Sequence, residues 1–127
     1  MDIDGVKKAL EIYFEANTKG SGAKMKEVFH EEAFIYGYSP DGAFNARDLT
    51  KFAKVVDDTA PDPTEGPFPP MDDIISIDFT GENTAAARVR VRVANNLYTD
   101  VLSFARINGK WCIVSKLYSG KPMDTGS

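Results

Sequence analysis

The stretch Arg88-Val89-Arg90-Val91-Arg92-Val93-Ala94-Asn95-Asn96-Leu97-Tyr98-Thr99-Asp100-Val101-Leu102-Ser103-Phe104-Ala105-Arg106-Ile107-Asn108-Gly109-Lys110-Trp111-Cys112-Ile113-Val114 decides the fold of this chain. Apolar and polar residues alternate with period two around two Asn-containing turns, the pattern of half-buried strands joined as hairpins. Extended back to Met71 and on to Tyr118, the region reads as consecutive β-hairpins. Asn108-Gly109 is a strong two-residue turn, because both residues accept the positive φ that a type I′ turn needs. Asn95-Asn96 is a weaker turn of the same kind. Counting outward pairs Val93 with Tyr98, Val91 with Asp100 and Val89 with Leu102. Across the second turn, Arg106 pairs with Trp111, Phe104 with Ile113 and Asp100 with Leu117.

Two faces follow from that register. Val89, Val91, Val93, Tyr98, Leu102, Phe104, Trp111, Ile113 and Leu117 share one, which we expect to be the core. Arg88, Arg90, Arg92, Thr99, Val101, Ser103, Cys112, Val114 and Lys116 share the other, a mixed surface suited to solvent or to an interface. Asp100 falls on the core face. A carboxylate among valines, leucines and aromatics is costly unless it is paired, hydrogen-bonded or protonated. Desolvation raises its pKa, which is how enzymes prepare general acids and bases. The structural alternative is a carboxylate that only satisfies a buried hydroxyl or backbone group, with Tyr98 or Tyr13 as the donor.

Helices precede the sheet. Val6, Ala9, Leu10, Tyr13 and Phe14 recur at helical spacing opposite Lys7, Lys8, Glu11 and Glu15, with Asp2 or Asp4 as cap and Gly20 as stop. Ser21 caps a short second helix carrying Met25, Val28 and Phe29, and a strand follows from Ala33 to Tyr38 before the turn Ser39-Pro40-Asp41-Gly42. We place a third helix after Asn45, with Leu49, Phe52, Ala53 and Val56 on one face. Helices followed by an antiparallel sheet make an α+β domain. The stretch Asp57 to Pro70 holds Pro61, Pro63, Pro67, Pro69 and Pro70, so it is neither helix nor inner strand. We read it as a rigid connector, with a lid over a pocket as the alternative.

With 127 residues the chain is one domain by size, which we set at residues 1–120 with a polar tail over 121–127. A net charge of -4 argues against nucleic acid, whose phosphates need a basic surface. Cys112 is the single cysteine and His30 the single histidine, so neither an internal disulfide nor a His/Cys zinc cluster can form. No metal and no cofactor is expected. No run approaches the length of a membrane span. The acidic start Met1-Asp2-Ile3-Asp4-Gly5 lacks the basic-then-apolar order of a signal peptide, which reads as cytoplasmic.

Three segments carry a resemblance: Tyr13-Phe14-Glu15-Ala16-Asn17-Thr18-Lys19-Gly20, Val28-Phe29-His30-Glu31-Glu32-Ala33-Phe34-Ile35, and Asn108-Gly109-Lys110-Trp111-Cys112-Ile113. They resemble the nuclear transport factor 2-like, SnoaL-like superfamily of cystatin-like folds. The stretches Tyr98-Thr99-Asp100-Val101-Leu102-Ser103 and Ile113-Val114-Ser115-Lys116-Leu117-Tyr118 are similar to its putative lumazine-binding group. The resemblance covers about Val6 to Tyr118. It implies a cone: three N-terminal helices closing over a curved antiparallel sheet, a pocket at the open end, and homodimers through the outer sheet face. The superfamily hosts isomerases, dehydratases, cyclases and non-enzymatic modules, so it does not fix a reaction.

Ketosteroid isomerases of this superfamily use a first-helix tyrosine as oxyanion donor, and Tyr13 matches it. Their catalytic base falls here on Gly37, between Tyr36 and Tyr38, and their assisting acid falls near Ser103. Neither position carries the needed group, which weighs against the isomerase mechanism. The dehydratase-type Asp–His pair would require His30 beside Asp100. We expect a small-molecule-binding cone for a small hydrophobic or aromatic molecule, walled by Tyr13, Phe29, Tyr36, Phe52, Tyr98, Phe104 and Trp111, with Asp100 as polar anchor. The alternatives are a SnoaL-like enzyme using Asp100 and Tyr13 for proton transfer beside a carbonyl, and a non-catalytic homodimerisation module.

Overall fold

The computed structural model describes residues 1–59 and 71–123. The elements run α1 (Ile3–Lys19), α2 (Gly22–Val28), β1 (Phe29–Tyr38), β2 (Phe44–Asp48), α3 (Leu49–Asp58), β3 (Asp72–Gly81), β4 (Thr84–Val93), β5 (Asn96–Ile107) and β6 (Lys110–Pro122). The six strands form one curved, unclosed sheet in the order β2-β1-β6-β5-β4-β3, and the helices pack inside the curve. This is the expected α+β architecture, with one correction. The sheet is mixed, because β1 lies parallel to β6 while every other neighbouring pair is antiparallel. A parallel partner distant in sequence leaves no turn signal to read.

The helix boundaries follow local chemistry. Asp2 caps α1 by accepting from the Gly5 N–H at 3.0 Å, and Gly20 ends it at φ 62, a conformation that favours a residue without Cβ. Ser21 caps α2 by accepting from Lys24 N–H at 3.1 Å. The cap of α3 is Asp48, which accepts from Lys51 N–H at 2.8 Å, and not Asn45. Residues Phe44–Asp48 instead form β2, paired with the end of β1. Asn45 uses its side-chain amide on Ser39 and on the Tyr118 hydroxyl. Asp57 and Asp58 belong to α3, whereas the proline-rich stretch read as connector or lid lies, over residues 60–70, outside the described residues. At the other end, β6 continues through Pro122, where Asn96 pairs it; residues 124–127 lie outside the description.

The hairpin turns are half as predicted. Asn108 and Gly109 take φ 51 and φ 79, and Ile107 faces Lys110 across them. The preceding loop is Ala94-Asn95, one residue earlier than expected, with Ala94 at φ 53. Val89 therefore faces Asp100 and Val91 faces Tyr98. A two-residue slip along a strand preserves which side chains face inward, so the core face survives it. Val6, Leu10, Tyr13, Met25, Val28, Ile35, Val89, Leu102, Phe104 and Ile113 are the buried centre, between the helices and the sheet. Each such side chain contributes about 1.5–3 kcal/mol by leaving water.

Candidate functional site

A β-bulge sets the geometry of the site. From the Asn108-Gly109 turn, β5 and β6 pair regularly as far as Phe104 with Ile113, and then Ser103 pairs with Ser115. Val114 is the extra residue. Beyond it the faces of β6 exchange: Asp100 lies opposite Tyr118 rather than Leu117, and Leu102 lies opposite Lys116. Bulges re-aim side chains in this way. Leu117, expected in the core, is 56% exposed on the outer face, while Lys116, expected outside, is 6% exposed within the cone.

The inward turn brings together three polar groups from three elements. Asp100 on β5 and Tyr13 on α1 are both fully buried, and the Tyr13 hydroxyl donates to Asp100 Oδ2 at 2.5 Å. Lys116 Nζ lies 3.9 Å from the same Oδ2, close enough to feel its charge but beyond a hydrogen bond. Lys116 Nζ is held over aromatic faces: 4.6 Å from the Phe52 centroid, 5.2 Å from Tyr13 and 5.3 Å from Tyr118. Asp100 Oδ1 has no hydrogen-bond partner among the described residues.

The electrostatics follow from burial. Desolvation raises the Asp100 pKa above the usual carboxylate value, against the lowering effects of the Lys116 charge and the Tyr13 hydrogen bond. Desolvation lowers the Lys116 pKa, Asp100 opposes that, and Arg47 adds to it. Tyr13 is pushed well above its ordinary value, first by burial and then by the Asp100 charge and the bond to it. Every member of the group is thus biased toward its neutral form, and the carboxyl and the amine are the pair between which a proton can move.

A cavity of about 140 Å³ opens above this group. Among the described residues its apolar walls are Phe52, Val55 and Val56 of α3 with Val91 and Val93 of β4. Asn17, Arg47, Tyr98, Lys116 and Tyr118 supply its polar atoms. The Tyr118 hydroxyl accepts from Asn45 Nδ2 at 3.2 Å and Arg47 at 3.3 Å, which fixes it at the rim. Lys116 lies between the cavity and the buried Tyr13–Asp100 pair.

Of the residues singled out from sequence, Phe52 and Tyr98 line the cavity, and Tyr13 with Asp100 lies beneath its floor. Phe29 supports the floor from behind, with its ring 6.0 Å from Tyr13 and 5.5 Å from Phe52. Phe104 is buried in the central core, away from the cavity lining. Trp111 packs edge-on against Phe79 and donates from Nε1 to Asp2 at 2.8 Å, which locks the start of α1 to β6. Tyr36 points outward, 39% exposed, and stacks between Phe34 and Phe44. His30 accepts from the Glu32 N–H through Nδ1, and the side chains beside Asp100 are Tyr13 and Lys116. Gly37 holds its place for packing: a Cβ there would sit 2.3 Å from the Tyr118 carbonyl oxygen.

Sequence reasoning missed Lys116, Arg47 and Asn17. Lys116 and Tyr118 carry the wrong parity unless the bulge is known, and both parities of that strand offer apolar side chains. Arg47 alternates correctly with Asn45 along β2, a signal obscured by assigning those residues to a helix.

The family profile described as putative lumazine-binding matches residues 1–119. The aldolase FrzH of Cladobotryum sp is 32% identical over 123 residues, which cover 95% of this chain and 93% of that protein. Among solved structures, a nuclear transport factor 2-like protein of unknown function from Methylobacillus flagellatus KT superposes with a TM-score of 0.81 at 30% identity, covering 94% of this chain and 91% of that one. A further such protein of unknown function, from Shewanella baltica OS155, gives a TM-score of 0.80 at 25% identity, over 96% and 95% of the two chains. No helix among the described residues is long and apolar enough to cross a membrane.

Proposed function

The chain belongs to the putative lumazine-binding family of nuclear transport factor 2-like folds, and from that premise we propose that it binds a small, partly aromatic molecule in the cavity above Lys116. The observation that carries this reading is the cavity itself: valines and Phe52 on its walls, with Arg47, Tyr98, Tyr118 and Lys116 converging on one space. Concave apolar pockets with a few fixed polar groups are the usual ligand sites. The ligand's apolar body lies along α3 and β4, and an oxygen or anionic group points to the Lys116 amine and the Arg47 cation. The family description supports a small-molecule ligand.

A protein-observed NMR titration tests the reading. Benzyl alcohol should shift resonances of Phe52, Val55, Val91 and Tyr98, and Val55→Trp, which fills the space from α3, should abolish those shifts. Shifts confined to the outer sheet face, or none, contradict it.

An enzymatic reading is favoured by the likeness to a protein named as an aldolase. In it, Asp100 and Tyr13 move protons at a carbon beside a carbonyl. Lys116 stands between those two groups and the cavity, so they act on a ligand through it.

The outer sheet face supports self-association. Ile75, Val101 and Leu117 are exposed there beside Arg88 and Arg90, an apolar strip bounded by charge. Exposed apolar patches rimmed by polar groups mark interaction sites. The partner in this proposal is a second copy of the chain.

A further inference from the structure

We propose that Lys116 is a nucleophilic amine that forms an imine with an aldehyde or ketone bound in the cavity. The inference rests on the reading of that cavity as a ligand site and names the ligand's reactive group.

Three observations carry it. Lys116 is the amine that lines the cavity, and it is buried at 6% exposure. A lysine used only for charge pairing is best placed in hydrogen-bond contact with its carboxylate; here Nζ stays 3.9 Å from Asp100 Oδ2, beyond a hydrogen bond, and is surrounded by the rings of Phe52, Tyr13 and Tyr118. Finally, a proton acceptor is in place, since Asp100 is fully buried with Oδ1 unpartnered among the described residues and Oδ2 already steadied by the Tyr13 hydroxyl. Desolvation of an amine in an apolar pocket is the general means of making lysine nucleophilic at neutral pH, and burial moves Lys116 in that direction.

The chemistry balances without a further reagent. The neutral Nζ attacks the carbonyl carbon, forming the C–N bond as the C=O π pair moves to oxygen. Asp100 takes one amine proton and delivers it to the oxygen, giving a carbinolamine. The C–O bond then breaks as the nitrogen lone pair forms C=N, and the second amine proton, carried by Asp100, leaves with the oxygen as water. Amine plus carbonyl gives imine plus water. When the imine is protonated, the faces of Phe52, Tyr13 and Tyr118 hold its charge as they hold the ammonium. The groups facing Nζ that titrate or carry charge are Asp100 on β5, Tyr13 on α1, Arg47 on β2 and Tyr118 on β6.

Benzaldehyde with sodium cyanoborohydride tests the proposal on the intact protein, read by peptide mapping. Lys116 should be benzylated severalfold faster than the exposed Lys51 and Lys121, since the cavity holds the aldehyde beside it. Val55→Trp should remove that preference and leave labelling of Lys51 unchanged. Labelling of Lys116 no faster than Lys51, or none, overturns the imine. Benzyl alcohol, which lacks the carbonyl, separates the two levels. If it shifts the cavity resonances while Lys116 stays unlabelled, binding stands and the imine falls. If it binds nowhere in the cavity, both fall.

Discussion

At the residue scale, the Tyr13 hydroxyl donates to the fully buried Asp100 carboxyl, and Tyr13→Phe, which removes that bond, should cost about 1–3 kcal/mol in urea denaturation. A carboxylate on a face of valines and aromatics has to be paired, which makes Asp100 and a tyrosine partner legible in the sequence. Lys116, the amine that completes the group, is not legible, because strand alternation along β6 places it outside unless the bulge at Val114 is known. The pH dependence has two opposed windows. Between the lowered folded value of Lys116 and the ordinary lysine value, the unfolded chain holds the extra proton, so stability rises with pH there and is lost as pH falls through the folded value. Between the ordinary carboxylate value and the raised value of Asp100, the folded chain holds the extra proton, so stability falls as pH rises. Urea midpoints measured across pH should show both slopes, and Asp100→Leu/Lys116→Met should erase them. Near neutrality that double variant should be as stable as the parent or about 1–4 kcal/mol more stable, since a buried pair repays its desolvation poorly. A double variant less stable than the parent would mean that the pair exists for the fold and not for a ligand.

At the element scale, what the sequence showed were local signals: caps, turns and alternation. The caps Asp2 and Ser21, the stop at Gly20 and the Asn108-Gly109 turn all rest on neighbours a few residues apart. What it hid were choices made by distant strands. The β4–β5 loop falls on Ala94-Asn95 although Asn95-Asn96 is better turn chemistry, because either register keeps the same residues inward and tertiary packing decides between them. That leaves Ala94 in the left-handed region, so Ala94→Gly should raise stability by up to about 1 kcal/mol, read as a higher urea midpoint at unchanged slope. The parallel β1–β6 pairing was equally silent, yet it leaves a mark at Gly37. A Cβ there meets a backbone oxygen that cannot swing aside, so Gly37→Ala should destabilise by about 1–3 kcal/mol. An unchanged melting temperature would contradict that packing.

At the scale of the whole molecule, an open sheet wrapped over three helices leaves two surfaces for function: the mouth of the cone and the outer face of the sheet. The bulge at Val114 serves both, since it sends Lys116 inward and Leu117 outward in a single step. If the outer face joins two copies, Leu117→Asp should convert a dimer to a monomer in sedimentation experiments while leaving benzyl alcohol binding intact; a wild-type monomer at micromolar concentration would end that reading. The central claim concerns the mouth of the cone, and a crystal structure of the protein soaked in benzaldehyde tests it most directly. The account predicts density between Phe52, Tyr98 and Lys116 with the carbonyl carbon at Lys116 Nζ. An aldehyde absent from the cavity, or seated only against Ile75 and Leu117 on the outer face, would contradict it.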